Sequence, residues 1–437
     1  MIIDIIGAGL AGCEAALWLA DKGVQVHLYE QKPVRFSPAH KNKNFAELVC
    51  SNSLKADRPD SASGMLKNEM RLMGSHLLVA ADKSRVAAGG ALAVDREEFS
   101  TIITQMVENH PCIQVHNQEV QHIDTDKIVL IASGPLTEGA LAEQIMQLCG
   151  GNRLYFHDAA APIVTAESID MEKVFAQSRY DRGEADYLNC PFDKAGYEAF
   201  WDQLVNAERA ELHSFEADGA VTVYEGCMPI EIMAKRGMDT MRFGPLRPVG
   251  LVNPATGHRP WANVQLRRED KQGSMYNIVG FQTNLKFGEQ KRVFSMIPGL
   301  ENAEFVRYGV MHRNTFLNSP LVLTDALNLK EYPNVYFAGQ ITGFEGYMES
   351  AASGILAARA IYARLQNKPH AQYPVTTMCG ALLHYITTEN KDFQPMGANI
   401  GILPPLEEQI RDKRVRYGVA TQRGIDDLKQ LLQKENS

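Results

Sequence analysis

Three observations in this 437-residue chain predict an α/β fold built on a parallel sheet. "IIDII" (2–6) is an apolar run of strand length. "GAGLAG" (7–12) follows as a glycine turn, and "CEAALWLADKG" (13–23) as a helix that stops at Gly23. "VQVHLYE" (24–30) alternates as a second strand ending before Pro33. "NVYFAGQITGFEGYMESAASGILAARAIYARL" (334–365) repeats strand, glycine turn and long helix far along the chain. Between these lies "DKIVLIASGP" (126–135), another buried strand. Residues 155–300 differ in character, with more aromatics and prolines. There "FWDQLVNAERAELHSFEA" (200–217) reads as a helix and "SMYNIVGFQTNLK" (274–286) as a strand and loop. The economical arrangement is a Rossmann-like dinucleotide-binding domain split in sequence, 1–155 and 306–437, with an inserted α+β domain at 156–305.

Apolar content of 45% and charged content of 22% are those of a globular protein. No stretch approaches the roughly 18 apolar residues of a membrane span, and "MIIDIIGAG" lacks the basic region of a signal peptide. The expected location is the cytoplasm. Seven scattered cysteines without a C-x-x-C pair argue against a disulfide framework. No cysteine or histidine spacing suits a metal. The net charge of −8 does not favour nucleic acid, yet residues 231–270 are locally basic. Lys235, Arg236, Arg242, Arg247, Arg259, Arg267 and Arg268 face Glu231, Asp239, Glu269 and Asp270, a balance of +3. That patch is either a solvated face or an RNA contact.

Gly7, Gly9 and Gly12 form G-x-G-x-x-G directly after a strand and opening a helix, the context that a dinucleotide site requires. Ala8, Leu10 and Ala11 complete the turn, and Glu30 ends the second strand where a carboxylate can accept ribose hydroxyls. These residues leave NAD and FAD open; the late strand decides for FAD. Its end, Gly339, precedes a turn and a small-residue helix aimed at the cofactor. Gln340 stands where an aspartate is usual, making any ribitol contact a neutral hydrogen bond.

Two cysteines sit at turns. Cys50 closes the apolar pair Leu48–Val49 and is followed by Ser51, Asn52 and Ser53. Cys227 follows Gly226 and precedes Met228–Pro229, near the cations Lys235, Arg236 and Arg242, which favour a thiolate. Each also reads as a packed loop cysteine.

The segments "GAGLAGCEAA", "FAELVCSNSLKAD", "YFHDAAAPIV", "YLNCPF", "YEGCMPIEIMAKRG", "GFQTNLK", "VMHRNTFLNSP", "FAGQITGFEGYMESAASG" and "NIGILPPL" cover nearly the whole chain. Together they closely resemble the bacterial folate- and FAD-dependent tRNA uracil-5-methyltransferases. The first also resembles a larger flavoprotein acting on tRNA wobble uridines, whose long C-terminal helical domain does not fit 437 residues. The resemblance implies methylation of the T-loop uridine at tRNA position 54. Methylenetetrahydrofolate is then the carbon donor, FAD the carrier and reductant, and NAD(P)H the electron source. It makes Cys227 the nucleophile at uracil C6 and Cys50 a second thiol for proton transfer. Tyr347 is expected beside flavin or folate, and His40 beside a phosphate or the flavin. Gln282, Asn284, Arg313 and Asn314 are candidates for folate, or else turn supports. Lys235, Arg236, Arg242 and Arg247 are expected to steady RNA phosphates around a flipped base. Lys55 stands where the family commonly has arginine. Rival readings are the same chemistry on ribosomal RNA, an FAD oxidoreductase without RNA, and a non-catalytic RNA-binding protein.

Overall fold

The computed structural model describes residues 2–37, 39–151, 153–159, 161–181, 185–210, 228–269, 272–309, 311–390 and 393–435. A five-stranded parallel sheet runs in the order Val335–Phe337, Val129–Ile131, Ile2–Ile6, Gln25–Glu30, Ile113–Asn117. The N-terminal strand is central, which is why Ile3 and Ile5 are fully buried, while Asp4 on the other face is half-buried beside His27. The Rossmann-like α/β reading therefore holds.

The first helix spans Leu10–Asp21, three residues earlier than expected, because the second half of the glycine turn is already helical. It ends as the sequence predicts. Gly23 takes φ +77°, its N–H reaches Ala20 O, and Val24 N–H reaches Leu19 O, the paired bonds of a Schellman cap. The long helix Tyr347–Leu365 packs along it through small residues. A Cβ on Gly354 would sit 2.3 Å from Ala11 O, so the two backbones approach too closely for any side chain there.

A second, separate apolar core lies under a six-stranded antiparallel sheet. Its order is Phe175–Ala176, Tyr187–Phe192, Ala262–Arg268, Met275–Ile278, Ile163–Thr165, Phe305–Arg307. An antiparallel ribbon, Arg153–Ala159 with Met311–Leu317, lies beside the chain's entry to and exit from this sheet. The helix expected over 200–217 is corrected: it spans Lys194–Asn206. Ala207 is extended, and the next residues pair with another segment, Lys286 N–H to Glu208 O and Ala210 N–H to Asn284 O. Those interstrand bonds replace the i→i−4 bonds a longer helix would need. Residues 211–217 lie outside the described residues. The buried strand expected over 126–135 is likewise only Val129–Ile131.

Candidate active site

The glycine turn lies on one wall of a cleft enclosing about 1270 Å³, open solvent included. Gly7 has φ +102°, and a Cβ there would lie 2.5 Å from Ala132 O; on Gly12 it would lie 1.8 Å from Gly7 O. At Gly9 a Cβ would meet nothing within 4 Å, because that position faces the cleft. The helix begins at Gly9 with no side-chain cap, leaving first-turn N–H groups and the positive dipole end for an anion. Glu30 is fixed by Ala8 N–H at 2.9 Å and Lys32 N–H at 3.0 Å, which ties the turn to the end of the second strand. An open glycine, an uncapped helix start and a fixed carboxylate in one cleft fit a dinucleotide.

Gly7, Ala8, Gly9, Leu10, Ala11, Glu30, His40, Gly339, Gln340 and Tyr347 all line this cleft, while Gly12 lies behind it against Gly7. His40 Nδ1 is 2.6 Å from Ser37 Oγ. The amide of Gln340 donates to both carboxylate oxygens of Glu345, each at 3.0 Å. A carboxylate five residues on thus stands beside the amide that replaces the usual aspartate; sequence reasoning missed Glu345.

Cys50 is half-buried and directly follows Val49, which lines the cleft. Tyr347, 297 residues away, places its hydroxyl 2.8 Å from Cys50 N, 2.9 Å from Cys50 Sγ and 3.2 Å from Ser51 N. Three arginines hold the same segment. Arg307 donates to Val49 O, Cys50 O and Ala161 O at 2.8–3.3 Å. Arg267 donates to Asn52 Oδ1 and Ser51 Oγ, both at 2.8 Å, and Arg96 to Leu48 O at 3.0 Å. Burial lowers the Arg307 pKa to about 10, which leaves it a cation at neutral pH. Glu269 pairs with Arg96 at 2.7 Å. Three guanidinium groups thus bracket the Cys50 segment, with one carboxylate among them. Arg96, Arg267, Arg307 and Glu269 were not foreseen as site residues. Arg267 had counted only as one surface cation among seven, yet it is buried in the strand Ala262–Arg268.

In the first turn of the same helix, Glu349 anchors the wall. Burial pushes its carboxyl up, but Lys55 at 2.8 Å and the Ala398 N–H outweigh that, and its pKa falls below the ordinary value. Gly346, at φ +123°, is required at this bend, since a Cβ would meet Glu349 Oε2 at 2.2 Å.

The other candidates lie elsewhere. Lys235 and Arg236 are exposed at the end of the helix Ile230–Lys235. Arg242 stacks over Trp261 at 3.9 Å and pairs with Asp239 at 2.5 Å; Arg247 is exposed, 3.4 Å from the Tyr180 hydroxyl. Beside them Phe243 is 82% exposed, a feature the sequence reading did not single out. Asn284 spends its amide on Ala210 O and its N–H on Glu231, and the Gln282 carbonyl accepts Ile230 N–H. Arg313 and Asn314 lie in the ribbon strand Met311–Leu317, with Asn314 buried. Cys227 falls outside the described residues. Among the described residues there is no cluster of three potential metal ligands and no helix long and apolar enough to cross a membrane.

The family model described as glucose inhibited division protein A matches residues 2–369. The methylenetetrahydrofolate–tRNA-(uracil-5-)-methyltransferase TrmFO of Acetivibrio thermocellus is 54% identical over 433 residues, covering 99% of each chain. The chain belongs to the TrmFO family. The TrmFO of Listeria monocytogenes is likewise 54% identical over 99% of both chains, and that of Desulforamulus reducens 53% over 99% and 98%. Among solved structures, Aquifex aeolicus GidA superposes with TM-score 0.68 at 15% identity, over 99% of this chain and 75% of that one. That likeness shows the fold and extends through both sheets.

Proposed function

We infer that this chain methylates uracil C5 in tRNA, with methylenetetrahydrofolate as carbon donor and FAD in the cleft of Gly7–Gly12 and Glu30. The full-length identity to TrmFO enzymes supports the activity. The observation that carries the mechanism is the contact of Cys50 with Tyr347, a residue lining the dinucleotide cleft, in a segment held by three arginines. When bound, FAD supplies a carrier for the one-carbon unit and the electrons that make it a methyl group. NAD(P)H is the proposed source of those electrons.

The residues of the chain handle the uracil. A thiolate adding to C6 turns C5 into a nucleophile; this role we assign to Cys227. After C5 has gained the carbon, a base takes the C5 proton, the C6–S bond breaks, and an exocyclic methylene is left for reduction. We assign that base to Cys50. The substrate we propose is the T-loop uridine at position 54, flipped from its stack. Lys235, Arg236, Arg242 and Arg247 hold phosphates on the inserted unit, proposed as 156–305. The strand from Trp261 to Arg267 is roughly 20 Å long at the usual rise per residue. It therefore joins that basic face to the Cys50 wall within a span that a folded RNA loop can bridge.

Purified protein incubated with tRNA and ribosomal RNA transcripts, methylenetetrahydrofolate and NAD(P)H tests this. The expected product is 5-methyluridine in the tRNA T-loop alone, lost in Cys227→Ala while the protein stays yellow. Product only in ribosomal RNA would transfer the same chemistry to that substrate. NAD(P)H oxidation with no modified RNA would leave only a flavin oxidoreductase.

A further inference from the structure

We infer that Tyr347 is a positioning residue whose hydroxyl donates a fixed hydrogen bond to Cys50 Sγ, holding that sulfur in its proton-accepting form. The argument is one of hydrogen-bond accounting. A phenolic oxygen has one proton to give and two lone pairs to receive. Cys50 N–H, at 2.8 Å, and Ser51 N–H, at 3.2 Å, are backbone donors aimed at this oxygen, and they fill both lone pairs. Cys50 Sγ lies 2.9 Å from the same oxygen. A thiol proton pointed at it would find no lone pair. The phenolic proton therefore points at the sulfur, and the sulfur accepts.

The donor is permanent. Tyr347 is half-buried, and desolvation first, then the neighbouring Cys50, pushes its pKa well above the ordinary value, so it keeps its proton across the physiological range. It opens the helix Tyr347–Leu365 directly after Gly346, whose positive φ only glycine adopts easily. Among the described residues, Arg96, Arg267 and Arg307 act on this pair, and Glu269 and Tyr187 act on those arginines. Three are cations and one is a carboxylate spent on Arg96. Their field acts in the same direction as the hydrogen bond, toward an anionic sulfur.

The consequence rests on the assignment of the C5 proton to Cys50. A sulfur held as acceptor can take that proton: S–H forms as C5–H breaks, and the C–H electron pair becomes the exocyclic double bond as the C6–S bond leaves. Tyr347 then acts through Cys50 and touches no reacting carbon.

The test reads Cys50 itself. The rate of Cys50 alkylation by iodoacetamide is measured against pH in the full chain by peptide mass spectrometry, for the wild type and Tyr347→Phe. Loss of a hydrogen bond to a charged acceptor is expected to raise the midpoint by about 1–2 pH units. Replacing Tyr347 by 3-fluorotyrosine, a stronger donor that keeps the ring and both lone pairs, is expected to lower it. This second variant decides the matter if Tyr347→Phe loses its native circular dichroism. A midpoint unmoved or lowered in Tyr347→Phe, or raised by the fluorinated ring, overturns the inference. A shifted midpoint with 5-methyluridine formation unchanged in both Tyr347→Phe and Cys50→Ser keeps the hydrogen bond. That result removes proton transfer from Cys50 and so overturns the catalytic consequence.

Discussion

The two walls of the cleft are assembled in opposite ways. The dinucleotide wall is set mainly by one short run, Gly7 to Glu30, in which Gly12 packs on Gly7, Gly7 on Ala132 of the neighbouring strand's end, and Gly9 stays open to the cleft. The Cys50 wall draws on Cys50, Arg96, Arg267, Arg307 and Tyr347, with partners up to 297 residues apart. The first is a local device, present as soon as strand, turn and helix form. The second exists only once both sheets have folded and met. Binding of the cofactor and competence of the thiol are therefore separable properties.

Cys50→Ala gives the largest expected separation. Methylation falls by about 10²–10⁴-fold, the range for a proton-transfer residue, while the protein keeps its flavin absorbance. A wild-type rate, or a colourless protein, would erase the distinction between the walls. Gly12→Ala attacks the local device, because its Cβ would lie 1.8 Å from a carbonyl oxygen. Loss of flavin and of more than about 2 kcal/mol of stability is expected, read from absorbance and thermal melting. Gly9→Ala sharpens the point: with nothing within 4 Å, it should melt as the wild type does and lose only flavin affinity.

Arg307→Ala leaves the carbonyls of Val49, Cys50 and Ala161 without their guanidinium. A loss of about 1–3 kcal/mol is expected, since three partly buried acceptors lose their donor. The methylation rate should drop more than flavin affinity does, with Arg307→Lys between. Equal losses in both would mean that the walls are not independent. The smallest effect concerns RNA. Arg242→Ala and Arg247→Ala should each weaken tRNA binding modestly and reduce the salt dependence by about one unit of slope, measured by filter binding with flavin content unchanged. Salt slopes identical to the wild type would remove these arginines from the RNA surface.

Much of the parallel sheet was legible because its signals are local: a buried apolar run, glycines at set spacing and a Gly23 cap. The helix over 200–217 failed because residues 208–210 are claimed by strand pairing with 284–286, a tertiary demand that outranks helical pattern. The turn around Gln340 lacked its acid in the motif, and the structure has Glu345 beside that amide. Cys50 was conspicuous at the edge of an apolar run, but its surroundings were not.

The sequence by itself determined most of the nucleotide wall, because backbone dihedrals, the packing of Gly12 on Gly7 and a helix N-terminus depend on near neighbours, while the approach of Gly7 to Ala132 came with the adjoining strand. Only the tertiary structure decided that Arg267 is buried against Ser51 and Asn52 rather than exposed, and that the Tyr347 hydroxyl meets the Cys50 sulfur. Side chains hundreds of residues apart find each other through packing, and no spacing in the chain encodes which lone pair is already taken.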